Sequence, residues 1–215
     1  MENLSFLGNN YLGIDFSIFS TLWLIGVFVF IFSFRKKIFR FLYKDADMEK
    51  FLFKLKSYLK ETYPKIKFDY DYLDTLNDEP NPDAKKYALI DHIINQYVTY
   101  KFNPSVQKSV PANLLWTSYV FDSKPNKDKL PKDWLKRKTV VFERDNKTCQ
   151  RCSKKTDIKD SDLYLIKPIK KGGNYYLENL ILLCNDCSKI EKHKLDSSVN
   201  IKYLKIKEKL YSIVK

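Results

Sequence analysis

The longest run of apolar side chains lies near the start of the chain, at residues 16–34, where nineteen consecutive residues carry no charge. At a rise of about 1.5 Å per residue, a helix of this length spans the roughly 30 Å hydrocarbon core of a bilayer. No Lys or Arg precedes the run, whereas Arg35 and Lys36 follow it directly. Because basic residues stay on the cytoplasmic side, the pattern predicts a single transmembrane helix at the cell membrane, with residues 1–15 outside and everything after Arg35 in the cytoplasm.

Two other interpretations of the apolar run fit less well. A cleaved signal peptide carries its basic residues before the run and a small-x-small site after it, and this sequence has neither. A buried core helix is usually shorter and polar along one side. Residues 35–46 mix basic and apolar side chains, which is typical of a juxtamembrane segment at anionic head groups, although an ordinary extension of the helix looks the same.

The periodicity then predicts a mainly helical cytoplasmic region over residues 47–132. Apolar side chains recur with helical spacing from Met48 to Tyr63, and Pro64 ends that pattern. Asp83 follows a turn-rich loop and is a candidate N-cap for a helix from about Ala84 to Lys101.

Helical spacing returns at the end of the chain. Residues 196–215 carry an apolar stripe, and Ser197 is a candidate N-cap for a last helix that runs to Val214. We expect this helix to pack on the region before it.

The charge of the chain points to polyanionic partners. Lys and Arg exceed Asp and Glu by 13, an excess that favours nucleic acid or the anionic face of a membrane. A lysine-rich composition without functional meaning would look similar. Lys136, Arg137 and Lys138 belong to a basic run that is a candidate phosphate contact or, with equal weight, a solvated linker.

All four cysteines lie in one segment, as two C-x-x-C pairs: Cys149 with Cys152, and Cys184 with Cys187. A disulfide framework is usually spread through a small secreted chain, whereas two tight pairs predict a tetrahedral site of four thiolates. Because protein ligands fill all four positions, we expect a structural zinc ion. A redox pair would need only one C-x-x-C.

The residues around the cysteines resemble the HNH endonuclease family of the four-cysteine type. A basic helix leads through Glu143-Arg144-Asp145 into Cys149, Ile166-Lys167-Pro168 precedes Gly172-Gly173, and Leu177-Glu178-Asn179-Leu180 runs into Cys184. The resemblance covers roughly residues 134–194, and we take residues 133–195 as the domain. It implies a ββα-metal fold, and hence an α+β chain with an N-terminal transmembrane helix, a helical middle region and a C-terminal zinc module.

When the family's catalytic positions are carried over residue by residue, most of them hold a side chain that lacks the catalytic group. The general-base histidine, three residues before the proline, falls on Leu165, and the residue before it on Tyr164. Asn179 matches the asparagine that orients the base. The metal-ligand position after the last cysteine falls on Ser188. An active member would need Mg²⁺ or Mn²⁺, and His193 is the one histidine near enough in sequence to be a displaced catalytic residue.

Three functions follow from this resemblance. The first is a membrane-anchored protein that binds nucleic acid, DNA being expected, with cleavage weak or lost. The second is an active endonuclease whose base comes from elsewhere, such as His92 or a partner chain. The third is a zinc scaffold that binds another protein. For the first, candidate nucleic-acid contacts are Lys136, Arg137, Lys138, Lys167, Lys170, Lys171, Lys189 and Lys192, with generic surface charge as the alternative.

Overall fold

The computed structural model describes residues 9–38, 40–77, 79–120, 130–193 and 201–214. It divides into two compact units, residues 1–50 and residues 51–215, and each is described by itself. The first unit contains helix α1 (Asn9–Ile38) and the beginning of helix α2 (Arg40–Thr62).

Large apolar side chains of α1 are exposed, among them Trp23 and Phe28. Among the residues that the structure describes, however, no helix combines the length and the apolarity needed to cross a membrane. The transmembrane helix at residues 16–34 stays a prediction from the sequence.

The middle of the chain is helical where the periodicity predicts helices. Helix α2 ends at Thr62, two residues before Pro64, and helix α3 (Pro82–Thr99) follows a 3-10 turn at Asp71–Leu76. The cap of α3 differs from the prediction. Asn81 is the N-cap, because its side-chain oxygen accepts a hydrogen bond from the backbone N–H of Asp83, which belongs to the first turn.

The C-terminal part contains the sheet of the described residues. Strands β1 (Ser161–Leu165) and β2 (Leu180–Cys184) pair antiparallel, with Leu163 opposite Leu182, and helix α5 (Asn185–His193) follows β2 directly. Helix α4 (Trp134–Arg144) packs on this sheet through Val141 and Phe142. Helices with a small separate sheet confirm the α+β class, and β1, β2 and α5 have the order of a ββα module.

The last helix starts later than predicted. Helix α6 spans Lys205–Val214, and the carboxylate of Asp186 accepts hydrogen bonds from the backbone N–H groups of Lys205 and Ile206 at its start. Ser197, the predicted cap, lies outside the described residues. Helix α6 packs on α3, where the hydroxyl of Tyr211 donates to Asp91 at 2.6 Å.

Candidate metal centre and nuclease-like face

The four cysteines converge on one point. Their sulfur atoms all lie within 4.8 Å of one another, all four side chains are buried, and none forms a disulfide. The sulfurs of Cys152 and Cys184 are 3.9 Å apart. Four thiolates at about 2.3 Å from a tetrahedral zinc ion would be roughly 3.8 Å from each other, so the geometry fits such an ion.

Strand β2 brings the two pairs together. Its central residue Leu182 accepts a hydrogen bond from Gln150 N–H at 2.9 Å and donates to the buried carboxylate of Asp145 at 2.8 Å. These bonds hold the first C-x-x-C turn beside the strand that ends at Cys184. Ser153, directly after Cys152, has a φ of 62°, which bends the turn back on itself.

The thiols also influence one another. Burial alone would raise the pKa of the Cys149 thiol, but hydrogen bonds from the other three thiols lower the pKa below its ordinary value. The hydrogen bonds with Cys149 and Cys184 raise the pKa of the Cys152 thiol, and burial raises the pKa of the Cys187 thiol. The four thiols therefore do not all ionise readily by themselves, and a bound cation would favour the thiolate form of each.

Helix α3 supplies a polar group to this centre. Tyr97 is buried, and its hydroxyl lies 3.0 Å from the sulfur of Cys187 and 3.9 Å from that of Cys184. A hydroxyl that donates to a thiolate stabilises its negative charge and fixes its direction. The middle region is therefore part of the surroundings of the metal centre.

Arg151, inside the first C-x-x-C pair, is completely buried and links three parts of the fold. Its guanidinium forms an ion pair with Glu191 on α5 at 2.9 Å and lies 3.6 Å from the sulfur of Cys187. It also donates to three backbone carbonyls at the end of α3, those of Tyr97, Val98 and Tyr100. Burial disfavours the charged form, but the Cys187 and Glu191 side chains outweigh it and raise the pKa of Arg151.

The face between β1 and α5 carries two of the positions to which the family resemblance assigns a role, Tyr164 and Ser188. Asp162 and Tyr164 alternate with the buried Ser161 and Leu163 along β1, and Ser188 on α5 donates its hydroxyl hydrogen to Asp162 at 3.1 Å. Burial first, and the Glu191 carboxylate second, raise the pKa of Tyr164. Tyr164 is therefore a neutral group at physiological pH.

The position to which the resemblance assigns the general base is Leu165, whose side chain holds no proton acceptor. Leu165 ends β1 and packs against the apolar cluster formed by β1, β2 and α4. Asn179, the matching asparagine, is buried and bonded to backbone: its side chain accepts from Lys167 N–H and donates to the carbonyls of Lys167 and Asn174. In this structure Asn179 closes the loop between the strands.

Of the two histidines, the structure describes the side chain of His92 alone. His92 lies on α3, where its ring stacks on Tyr72 with 4.3 Å between the ring centres. His193 is the last residue of α5, and its side chain lies outside the described residues. His92 therefore belongs to the packing of α3 against the preceding 3-10 turn.

The candidate nucleic-acid contacts fall into two groups. Lys136, Lys167, Lys170, Lys171, Lys189 and Lys192 are exposed. Arg137 is completely buried, with Asp133 and the carbonyls of Tyr175 and Val120 as partners, and Lys138 donates to the carbonyl of Ser161. The guanidinium of Arg137 thus has a packing role in this structure.

Sequence reasoning missed three residues of this region: Tyr97, Arg151 and Asp162. Tyr97 and Arg151 show no local pattern, because their partners are up to 90 residues away. Asp162 had a usable signal, since the alternation Ser161-Asp162-Leu163-Tyr164 places it beside Tyr164 on one face of a strand.

Comparison with known proteins agrees with this geometry. No curated protein and no solved structure matches the chain. The family model described as HNH endonuclease matches residues 149–194, which include all four cysteines, both strands and α5. Residues 149–194 therefore form an HNH endonuclease domain with a four-cysteine site for a metal ion.

Proposed function

We propose that this protein binds nucleic acid, with DNA as the expected partner, through an HNH domain held together by a structural zinc ion, and that its phosphodiester cleavage is weak or lost. The observation that carries the proposal is the identity and packing of Leu165. Where the family has its general base, this chain has an alkyl side chain that packs against the apolar cluster. Loss of a general base alone costs about 10²–10⁴ in rate.

The position expected to hold a catalytic ion supports the same proposal. Ser188 is buried and its hydroxyl donates to Asp162, and Asp162 is also ion-paired with Lys192. Mg²⁺ is usually bound by one or two carboxylates with substrate phosphates. The Asp162 carboxylate is already occupied by other groups of the protein.

Binding can persist without cleavage because it depends on other residues. Lys167, Lys170 and Lys171 are exposed on the loop between the strands, which the bonds of Asn179 close. Lysines at such positions contact phosphates and position a nucleic acid without reading its sequence.

The test is a paired binding and cleavage assay on residues 51–215, the compact unit that contains the domain. Plasmid and single-stranded DNA are incubated with Mg²⁺ or Mn²⁺, beside a Leu165→His variant. We expect salt-dependent binding by both proteins and no cleavage by the wild-type fragment. Cleavage by wild type that His92→Ala or His193→Ala removes would contradict the proposal and identify a relocated base.

A charge-matched pair of variants separates specific contacts from overall charge. Lys170→Gln/Lys171→Gln removes two charges beside the domain's strands, and Lys207→Gln/Lys209→Gln removes two from α6. We expect about a tenfold loss of affinity for the first pair and under about threefold for the second. If the wild-type fragment itself does not bind DNA, the result would favour the other function, a zinc scaffold that binds another protein.

Attachment to the cell membrane, with the domain in the cytoplasm, is a separate proposal that rests on the sequence alone. Its support is the uncharged run at residues 16–34 with basic residues after it. The test is alkaline extraction of membranes from cells that express the full chain, with residues 51–215 as control. Release of the full chain into the extract would refute it.

A further inference from the structure

Asp162 is the centre of a small polar cluster between β1 and α5. Both of its carboxylate oxygens are occupied. One accepts the backbone N–H of Leu163 at 2.9 Å, and the other accepts the Ser188 hydroxyl at 3.1 Å and forms an ion pair with the ammonium of Lys192.

The two groups that share one oxygen come from one side of α5. Ser188 and Lys192 are four residues apart, so they lie one above the other on the helix surface. Ser188 is 3% exposed, whereas the side chain of Lys192 is 54% exposed. The hydroxyl therefore lies inside the cluster and the ammonium faces solvent.

This arrangement differs from a surface ion pair between two mobile side chains. The carboxylate is fixed by a backbone N–H and a buried hydroxyl, and the cation sits on the oxygen atom that the hydroxyl also contacts. A carboxylate oxygen beside a hydroxyl oxygen is a ligand set that Mg²⁺ and Mn²⁺ accept. The ammonium occupies the place that such an ion would take.

The carboxylate next to Lys192 in sequence, that of Glu191, is directed to a different partner. Glu191, one residue before Lys192, is ion-paired with the buried guanidinium of Arg151. An ammonium has three donors, and one directed at Asp162 leaves two for a ligand at the solvent side. A phosphate oxygen is the acceptor that a lysine in this position is suited to bind.

We propose that Asp162, Ser188 and Lys192 form a cation site whose resident cation is the Lys192 ammonium, so that this face binds a phosphodiester without a divalent ion, and a divalent ion binds there only when the lysine is removed. The phosphodiester part of this inference rests on the proposed nucleic-acid function. The ion part stands independently of it.

The first experiment measures binding of the full-length protein to a labelled DNA duplex by fluorescence anisotropy. Buffers are freed of metal with a resin, since a chelator would attack the zinc site, and Mg²⁺ is added at constant ionic strength. The variants are Lys192→Met and, as the charge-matched control, Lys209→Met. Lys209 is an exposed lysine of α6 that is not among the candidate nucleic-acid contacts. Zinc content and circular dichroism establish that each variant is folded.

We expect wild-type affinity to be equal with and without Mg²⁺. Lys192→Met should lose about fivefold in affinity and Lys209→Met less than about twofold. Mg²⁺ should restore binding to Lys192→Met but not to Lys192→Met/Asp162→Asn, because the ion needs the carboxylate. Wild-type binding that requires Mg²⁺, or equal losses in the two lysine variants, would overturn the proposal.

The second experiment needs no nucleic acid, so its result is independent of the proposed function. Free Mn²⁺ is titrated by electron paramagnetic resonance in the presence of wild type, Lys192→Met and the double variant. Lys192→Met should bind Mn²⁺ at least about fivefold more tightly than the other two. Equal Mn²⁺ binding by all three proteins would overturn the cation site even if DNA binding is found.

Discussion

At the scale of single residues, the metal centre depends on groups far away in the sequence. Tyr97 brings a hydroxyl from α3 to within 3.0 Å of the Cys187 sulfur, and Arg151 neutralises part of the charge that four thiolates would carry. Two thiolate charges remain uncompensated when four thiolates bind one divalent ion. A buried centre with this excess is stabilised by donors and cations in contact with its sulfurs.

Tyr97→Phe removes the hydroxyl and keeps the ring. We expect release of the metal to a competing chelator to be about tenfold faster, because the Cys187 thiolate loses a hydrogen-bond donor. Tyr63→Phe is the control, since Tyr63 is equally buried, packs edge-on against Tyr97 and has its hydroxyl near Tyr58. Equal release rates from the two variants would show that the hydroxyl of Tyr97 does not act on the metal.

Position 173 requires glycine because the backbone of Lys167 lies close to it. A Cβ atom at this position would lie 1.9 Å from the carbonyl oxygen of Lys167, so Gly173→Ala should lower the free energy of unfolding by about 2–4 kcal/mol. Gly172→Asn is the contrasting variant. Gly172 has a φ of 78°, which Asn tolerates, and only the flexible end of the Lys167 side chain is near. The free energies of unfolding are measured in urea. Equal decreases for the two variants would contradict the steric argument.

At the scale of elements, the sequence predicted features that depend on local pattern, and it did not predict those that depend on long-range contacts. Periodicity indicated α2 and α3, because each buries one apolar stripe, and the family resemblance indicated α4. The start of α6 was missed, since its cap comes from Asp186, which lies before the helix in the chain and is brought to it by the fold. The four cysteines were predictable from spacing, whereas Tyr97 and Arg151 were not, because no short-range rule encodes contacts over 54 or 90 residues.

The contact between α3 and α6 should weaken in alkali. Burial first, and the hydrogen bond to Asp91 second, raise the pKa of Tyr211 to about 12, while Lys207 lies 5.2 Å from its ring and Tyr87 packs beside it. An unfolded tyrosine ionises near pH 10, about two units lower. The folded state therefore keeps a proton that the unfolded state loses, and this contribution is complete below pH 10 and lost as the pH rises through about 12.

Tyr211→Phe isolates this contribution, because lysines and cysteines titrate in both proteins. We expect the difference in free energy of unfolding between wild type and variant to shrink from pH 9 to pH 11. Parallel pH profiles of the two proteins would show that Tyr211 is not responsible.

At the scale of the whole molecule, residues 51–215 behave as one compact unit. The family match begins at Cys149, but the groups around the metal centre come also from α3, and α6 packs on α3. A division at residue 133 would separate Arg151 from the carbonyls at the end of α3. Without α3, the guanidinium would lose three backbone acceptors and the aromatic rings of Tyr97 and Tyr100 that cover it.

Two fragments test whether the domain needs the middle region in order to fold and bind zinc. Residues 51–215 should retain one zinc ion and unfold cooperatively, whereas residues 133–215 should bind zinc at least about tenfold more weakly and lack a sharp thermal transition. Zinc content after gel filtration and differential scanning calorimetry provide the measurements. A stable, zinc-loaded 133–215 fragment would show that the middle region is dispensable.

The bond between Tyr97 and Cys187 also has a consequence for the order of synthesis. The two residues are 90 positions apart, so a ribosome that adds about 5–20 residues per second makes α3 several seconds before Cys187 exists. For the first 54 residues of that interval the end of α3 has neither Cys187 nor Arg151 to bond with, and for the last 36 residues it has Arg151 alone. The contacts around the end of α3 are therefore completed only when the last cysteine has been made, and an early stop codon upstream of Cys187 would expose the middle region, and not only the C-terminal end, to proteolysis.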